Sequence, residues 1–182
     1  NVSGAYDTIY SVDFKNTSNA AIIKNEINST GYTYIYGLII TGENFTISSN
    51  KINSVGDYYA NGIDIEGPAN GYVYDNVIDV TAKTSAYGIY SGMNGQNTTV
   101  DYFDNEITGE AYNVFGMSLG DVKSYVENAT IMLKGNYTTG LAYRGTNLTL
   151  KESRIVLTSS EVGNETVWEG FGVESVGVKI IK

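Results

Sequence analysis

The chain is 182 residues long, sets 11 Lys and Arg against 20 Asp and Glu for a formal charge of −9, and contains neither Cys nor His. An acidic balance without a basic run argues against a phosphate backbone or an anionic membrane surface as partner, so nucleic acid is not expected. The missing Cys and His remove disulfides, thiol nucleophiles, imidazole bases and the usual zinc sites, which leaves carboxylates, hydroxyls, phenols and a few basic groups for chemistry.

Gly, Asn, Ser, Thr and Tyr are abundant and Pro68 is the single proline, a usage that favours strands and tight turns over helices. No window repeats apolar residues at helical spacing, and no apolar run approaches the roughly 20 residues that cross a bilayer, so no membrane span is expected in this segment. From about residue 20 the chain repeats about every 25 residues. The first unit sets Asn25-Glu26-Ile27 before Gly37-Leu38, the second Asn50-Lys51-Ile52 before Gly62-Ile63, and the third Asn76-Val77-Ile78 before Gly88-Ile89. The fourth sets Asn105-Glu106-Ile107 before Gly116-Met117, and the fifth Asn128-Ala129-Thr130-Ile131 before Gly140-Leu141. The sixth is degenerate, with Ser153-Arg154-Ile155 before Gly172-Val173. A fixed period of this size means one supersecondary unit per repeat, each burying its apolar face on the next.

Short segments such as Phe45-Thr46-Ile47-Ser48 and Gly62-Ile63-Asp64-Ile65 alternate apolar with polar, the mark of a strand with one face buried. No hairpin dipeptide joins them and no helix is available for a crossover, so the chain is expected to wind as a parallel β-helix of about six coils. Its interior columns are read as Ile22, Ile47, Val73, Tyr102, Tyr125, Leu150 and as Ile27, Ile52, Ile78, Ile107, Thr130, Ile155, with register shifts near the fourth and fifth coils. The asparagines are expected to take the left-handed conformation of a sharp turn and to form a column with stacked amides, and the glycines a column of close backbone approach. Two segments break the period, Ser91 to Asn97 and Thr158 to Gly170, the latter containing Trp168. Extra residues in a solenoid map to loops on one face, so these are candidate contact surfaces.

Four residue sets carry candidate chemistry. Immediately before the asparagine stand Asp75, Asp104, Glu127 and Glu152; stacked one coil apart they would repel, and calcium is the cation such a column would take. No other cofactor is expected. Tyr32, Tyr34 and Tyr36 alternate along a strand, with Tyr58, Tyr59 and Trp168 as further rings that would stack on sugars or fill an interface. Nine Asn-x-Ser/Thr triplets occur, of which Asn44, Asn97, Asn147 and Asn164 lie before strands or in loops where a glycan would clear the core, whereas Asn128 is expected to face inward. Asp64 with Glu66, and Asp101 with Asp104, are the carboxylate pairs a glycosidase would need, and Arg144, Lys151 and Arg154 the basic residues a lyase would use.

The recurring Asn-x-Ile, Tyr-Gly-Ile or Asn-Gly-Ile, and Phe-Thr-Ile pattern resembles the right-handed, single-stranded parallel β-helix repeat of many surface proteins. Its Asn, Thr and Tyr richness is most similar to the adhesin-like proteins of methanogenic archaea. The resemblance implies an all-β solenoid at the cell surface or outside the cell, non-catalytic, adhesive or structural, with a surface polysaccharide or protein as partner. The alternatives on the same scaffold are a polysaccharide lyase, a glycoside hydrolase or a tailspike-type depolymerase using the acidic column, and a filament subunit. Neither Asn1-Val2-Ser3 nor Lys179-Ile180-Ile181-Lys182 reads as a cap, so 1–182 is expected to be one domain excerpted from a longer solenoid or joined end to end.

Overall fold

The structure, a computed structural model, describes residues 2–4, 7–92, 98–145, 147–160, 165–169, 173–176 and 179–181. Among the described residues eighteen strands form one continuous parallel sheet wound into stacked coils, and the pairings join each strand to its counterpart one repeat away. Among the described residues no helix is long and apolar enough to cross a membrane.

Each full coil presents three faces. The first holds Ala21–Ile23, the ends of Tyr34–Ser48 and Tyr59–Tyr74, then Thr99–Phe103, Lys123–Glu127, Asn147–Lys151 and Val173–Val176. The second begins after the asparagine, with Glu26–Gly31, Lys51–Gly56, Val77–Ala82 and the starts of Glu106–Leu119 and Thr130–Tyr143, followed by Arg154–Ser159 and Lys179–Ile181. The third holds Ile9–Ser18, the starts of Tyr34–Ser48 and Tyr59–Tyr74, Ser85–Ser91, the ends of Glu106–Leu119 and Thr130–Tyr143, and Glu165–Glu169. The chain stays a coil because a parallel ladder cannot be closed by a tight hairpin, so each turn around the axis returns a strand beside its predecessor, roughly 4.8 Å along.

The interior is built of like on like. Ile22, Ile47, Val73, Tyr102, Val126 and Leu150 form one buried column, and Ile27, Ile52, Ile78, Ile107, Ile131 and Ile155 another. Leu38, Ile63, Ile89, Met117 and Leu141 form the third. β-Branched side chains dominate because their preferred rotamers suit a pleated surface. The glycine column has a steric cause. A Cβ at Gly62 would lie 2.6 Å from the Gly88 carbonyl oxygen and 2.4 Å from Ile78 Cγ2, and at Gly88 it would meet the Gly116 oxygen at 2.6 Å.

Three expectations are corrected. First, the asparagine is not the left-handed residue of the turn; its predecessor is. Lys24, Ser49, Asp75, Asp104, Asn128 and Glu152 have φ between 47° and 59°. The following residue then turns its side chain inward, where Asn25, Asn50, Asn76 and Asn105 form an amide ladder. Each Nδ2 donates to the next Oδ1 at 3.0 Å, and the same Oδ1 accepts the backbone N–H of the asparagine below it at 2.9–3.2 Å. Asn50, Asn76 and Asn105 also donate to the carbonyls of Ile22, Ile47 and Val73, so backbone groups that the turn would strand in the interior are satisfied.

Second, the fifth coil is offset by one residue. Thr130 pairs with Glu106, so Ala129 occupies the ladder position and Asn128 the exposed left-handed one. The interior residues are therefore Val126 and Ile131, not Tyr125 and Thr130, and the ladder ends with Ser153 Oγ accepting the Ala129 N–H at 3.1 Å. Third, Val173 does not follow Leu141 in the third column but pairs with Leu148 on the first face, and Leu141 pairs with Trp168; Gly172 lies outside the described residues. Trp168 sits on the strand Glu165–Glu169, in register with Leu141, and not in a loop.

The ladder assignment has a direct test in urea unfolding. Asn76→Ala strips hydrogen bonds from buried partners and is expected to cost roughly 1–3 kcal/mol. Asn128→Gly, at a position where only the backbone angle is demanding, is expected to stay within about 0.5 kcal/mol of the parent or to exceed it. Equal losses at the two positions would overturn the offset.

Candidate functional site

The third face carries a ribbon of rings. Strand alternation turns Ile35 inward and Tyr36 outward, and the ladder register then passes over Gly37, so that Leu38 points inward again. Repeated coil by coil, this sets one outward residue before each glycine. Tyr10 and Tyr36 stack at 5.1 Å with an interplanar angle of 22°, and Tyr36 meets Tyr59 at 5.7 Å. Tyr59 in turn meets Tyr87 at 5.4 Å, and Tyr87 lies flat on Phe115 at 4.7 Å and 3°. Five rings thus cross five coils. Tyr34 and Tyr58 flank the ribbon, Tyr34 contacting both Tyr58 and Tyr59, while Tyr90 closes on Tyr87 edge to face. Tyr32 stands at the preceding turn, 54% exposed, outside the ribbon.

The register explains a detail of this ribbon. The position between Tyr36 and Tyr87 is held by Asn61, not by an aromatic residue, and the Tyr59 ring fills the gap from two positions upstream. Beneath it lies a polar pair. Asn61 is 0% and Asp64 5% exposed although both belong to the outer side of the face. Asn61 Nδ2 donates to Asp64 Oδ2 at 3.2 Å, which leaves Asn61 Oδ1, Asp64 Oδ1 and the Tyr90 hydroxyl buried without a partner. Burial pushes the Asp64 carboxyl up to about 7, helped by the charge of exposed Glu66 and opposed by the Asn61 hydrogen bond. Tyr36 and Tyr90 are pushed up to about 12 by burial and by the nearby Asp64, and Tyr59 is raised further for the same reasons, so all three are neutral donors over the physiological range.

The offset in the fifth coil alters the acidic column. The left-handed positions read Lys24, Ser49, Asp75, Asp104, Asn128, Glu152, so Glu127 leaves the stack of Asp75, Asp104 and Glu152. Asn128 stands in its place and donates to Asp104 Oδ1 at 2.6 Å. Glu127 sits one residue earlier, beside Lys151, in an ion pair of 2.9 Å that holds its carboxyl below the ordinary range. Among the described residues no group of three acidic side chains converges as metal ligands do.

Of the sequon asparagines, Asn44 and Asn147 are exposed, and Asn44 adopts φ 57° with its N–H bonded to Asn70 Oδ1. Asn97 and Asn164 lie outside the described residues. Asn128, expected inward, is exposed. A second buried carboxyl, Asp121, lies in the interior, where Ser91, Ser124 and Tyr102 donate hydroxyls to it; burial raises it and these hydrogen bonds oppose the rise. That cluster is internally satisfied. A groove of about 370 Å³ along the corner after the second face is lined by Lys83, Glu110, Tyr112 and Lys134, but both lysines are engaged, with Asp57 and Glu110.

Sequence reading singled out Tyr34, Tyr36, Tyr58 and Tyr59 but missed Tyr10, Tyr87, Tyr90 and Phe115. The signal was present in the residue just before each glycine: Tyr36, Tyr87 and Phe115 precede Gly37, Gly88 and Gly116.

The buried acid makes a pH prediction. A carboxyl raised in the folded state binds its proton more tightly there than in the unfolded chain, so its contribution is greatest at acid pH and is lost as pH rises from the ordinary carboxylate range to about 7. Across that window the Tm of the parent is expected to fall relative to Asp64→Asn, by roughly 10 °C at full effect. Parallel Tm profiles for the two proteins would refute the burial of this acid. Compared with family models, with curated proteins and with solved structures, the chain matches none.

Proposed function

We propose that this chain is a non-catalytic β-solenoid module of a cell-surface or extracellular protein that binds a polysaccharide along the aromatic ribbon. The observation that carries the reading is the run of five rings, Tyr10, Tyr36, Tyr59, Tyr87 and Phe115, with centroids 4.7–5.7 Å apart along the coil axis. The faces that Tyr10 and Tyr36, and Tyr87 and Phe115, turn to each other are occupied, so a sugar would lie against the outward ring edges, an apolar strip held rigid at low entropic cost. A linear array fits a linear polymer. The exposed sequon asparagines Asn44, Asn128 and Asn147 support an extracellular setting, as does the resemblance of the repeat to adhesin-like proteins.

A hydrolase is the second reading, and one observation favours it. Asp64, raised towards neutrality, and exposed Glu66 stand two residues apart on one outer face. A raised acid beside a second carboxylate is the pair of groups a glycosidase uses. Both carboxyls lie on one strand and do not face each other across a cleft, which weighs against it.

Calorimetry against soluble envelope polysaccharides separates the readings. The parent is expected to bind without shortening the polymer, and Tyr36→Ala with Tyr59→Ala to weaken binding at least ten-fold at a temperature where circular dichroism shows the variant still folded. Newly formed reducing ends that disappear in Glu66→Gln would establish the hydrolase instead.

A further inference from the structure

The polar pair under the ribbon asks for a ligand of a particular kind. Three oxygens of this patch are buried without partners, Asn61 Oδ1, Asp64 Oδ1 and, on the strand paired beside Asp64, Tyr90 Oη, and the first two belong to side chains at least nine-tenths buried. Buried polar atoms are almost always satisfied, and an orphaned one costs about 1–3 kcal/mol. Asn61 Oδ1 is an acceptor only, Asp64 Oδ1 is an acceptor when the carboxyl is ionised, and the third is a phenol able to donate or accept. The complement is therefore a group that brings hydrogen-bond donors. Charge narrows it further. Exposed Glu66 lies close enough to help raise the Asp64 carboxyl, and Arg144, the basic group felt by Tyr87 and Tyr90, is itself exposed to solvent. A ligand carboxylate or sulfate placed here would face acceptors and like charge.

We infer that Asn61 and Asp64 are the specificity-determining pair of the ribbon, selecting a neutral, hydroxyl-rich sugar residue over a uronic or sulfated one. This rests on the reading of the ribbon as a glycan platform and names the sugar class it takes. The ring stack supplies the apolar contact. The pair supplies the polar one, by accepting two hydroxyl hydrogens from a sugar that rests on the Tyr36 and Tyr87 rings once the Tyr59 ring has turned aside. Access comes through the half-buried side chains of Tyr59 and Tyr90, and side-chain rotation is the least costly movement the face offers.

Paired oligosaccharides provide the test: glucose, mannose and galactose oligomers titrated against their uronic-acid counterparts, which differ only at the sixth carbon. At least one neutral series is expected to bind the parent, with its uronic partner at least ten-fold weaker. Asp64→Asn preserves shape but replaces an acceptor oxygen with a donor. It is expected to weaken the neutral ligand about ten-fold and to narrow the gap to the uronic one, while Tyr36→Ala weakens both. If Tyr36→Ala loses binding and Asp64→Asn retains parental affinity and selectivity, the inference fails and the glycan platform stands. Uronic oligomers binding as tightly as neutral ones would also overturn the inference alone. If the parent binds no series, both fail together.

Discussion

Parallel, in-register pairing is the constraint on which everything else in this molecule depends. Because each strand lies beside its own counterpart one turn later, every side chain has the equivalent residue of the next coil as its nearest neighbour along the axis. A residue type that stacks well on itself is favoured in every coil, and one that does not must be relieved locally. Isoleucine on isoleucine and amide on amide are the two solutions used inside. The amide solution does more than fill space, since each ladder asparagine also quiets carbonyls of the turn that would otherwise face an apolar interior.

The same constraint builds the outer surface. Rings that follow one another up the third face are brought within contact distance by the coil rise alone, with no tertiary arrangement beyond the ladder. Where the column is interrupted at Asn61, a neighbouring tyrosine leans in and a polar pair is sealed beneath it. A site of this kind needs no loop and no cleft. It is a defect in a regular column, and its chemistry comes from what the defect leaves unpaired.

The coil architecture was legible because period, strand alternation and the Asn and Gly columns agreed from Asn25 to Asn105. The fifth coil was misread because Asn128 imitates a ladder residue while serving as the turn residue before it, and only the pairing of Thr130 with Glu106 tells the two apart. That single residue carried Glu127 out of the acidic column. The tyrosines were visible as a composition and partly as a pattern, but the ribbon was not, because Tyr59 joins it from a different register position. Nothing in the sequence near Asp64 announces a buried acid, since its cover comes from a Tyr59 ring that leaves its own register position and from rings of the adjoining coils.

The left-handed column, finally, is chemically indifferent. Lys24, Ser49, Asp75, Asp104, Asn128 and Glu152 share one backbone angle and one exposed direction yet include a cation, a hydroxyl, an amide and three acids. The corner constrains backbone conformation and hardly side-chain identity. One corner of the rod is thus a row of independently variable positions at a fixed pitch of about 4.8 Å, where a linear charge code can drift, or be written by design, while the fold beneath stays the same.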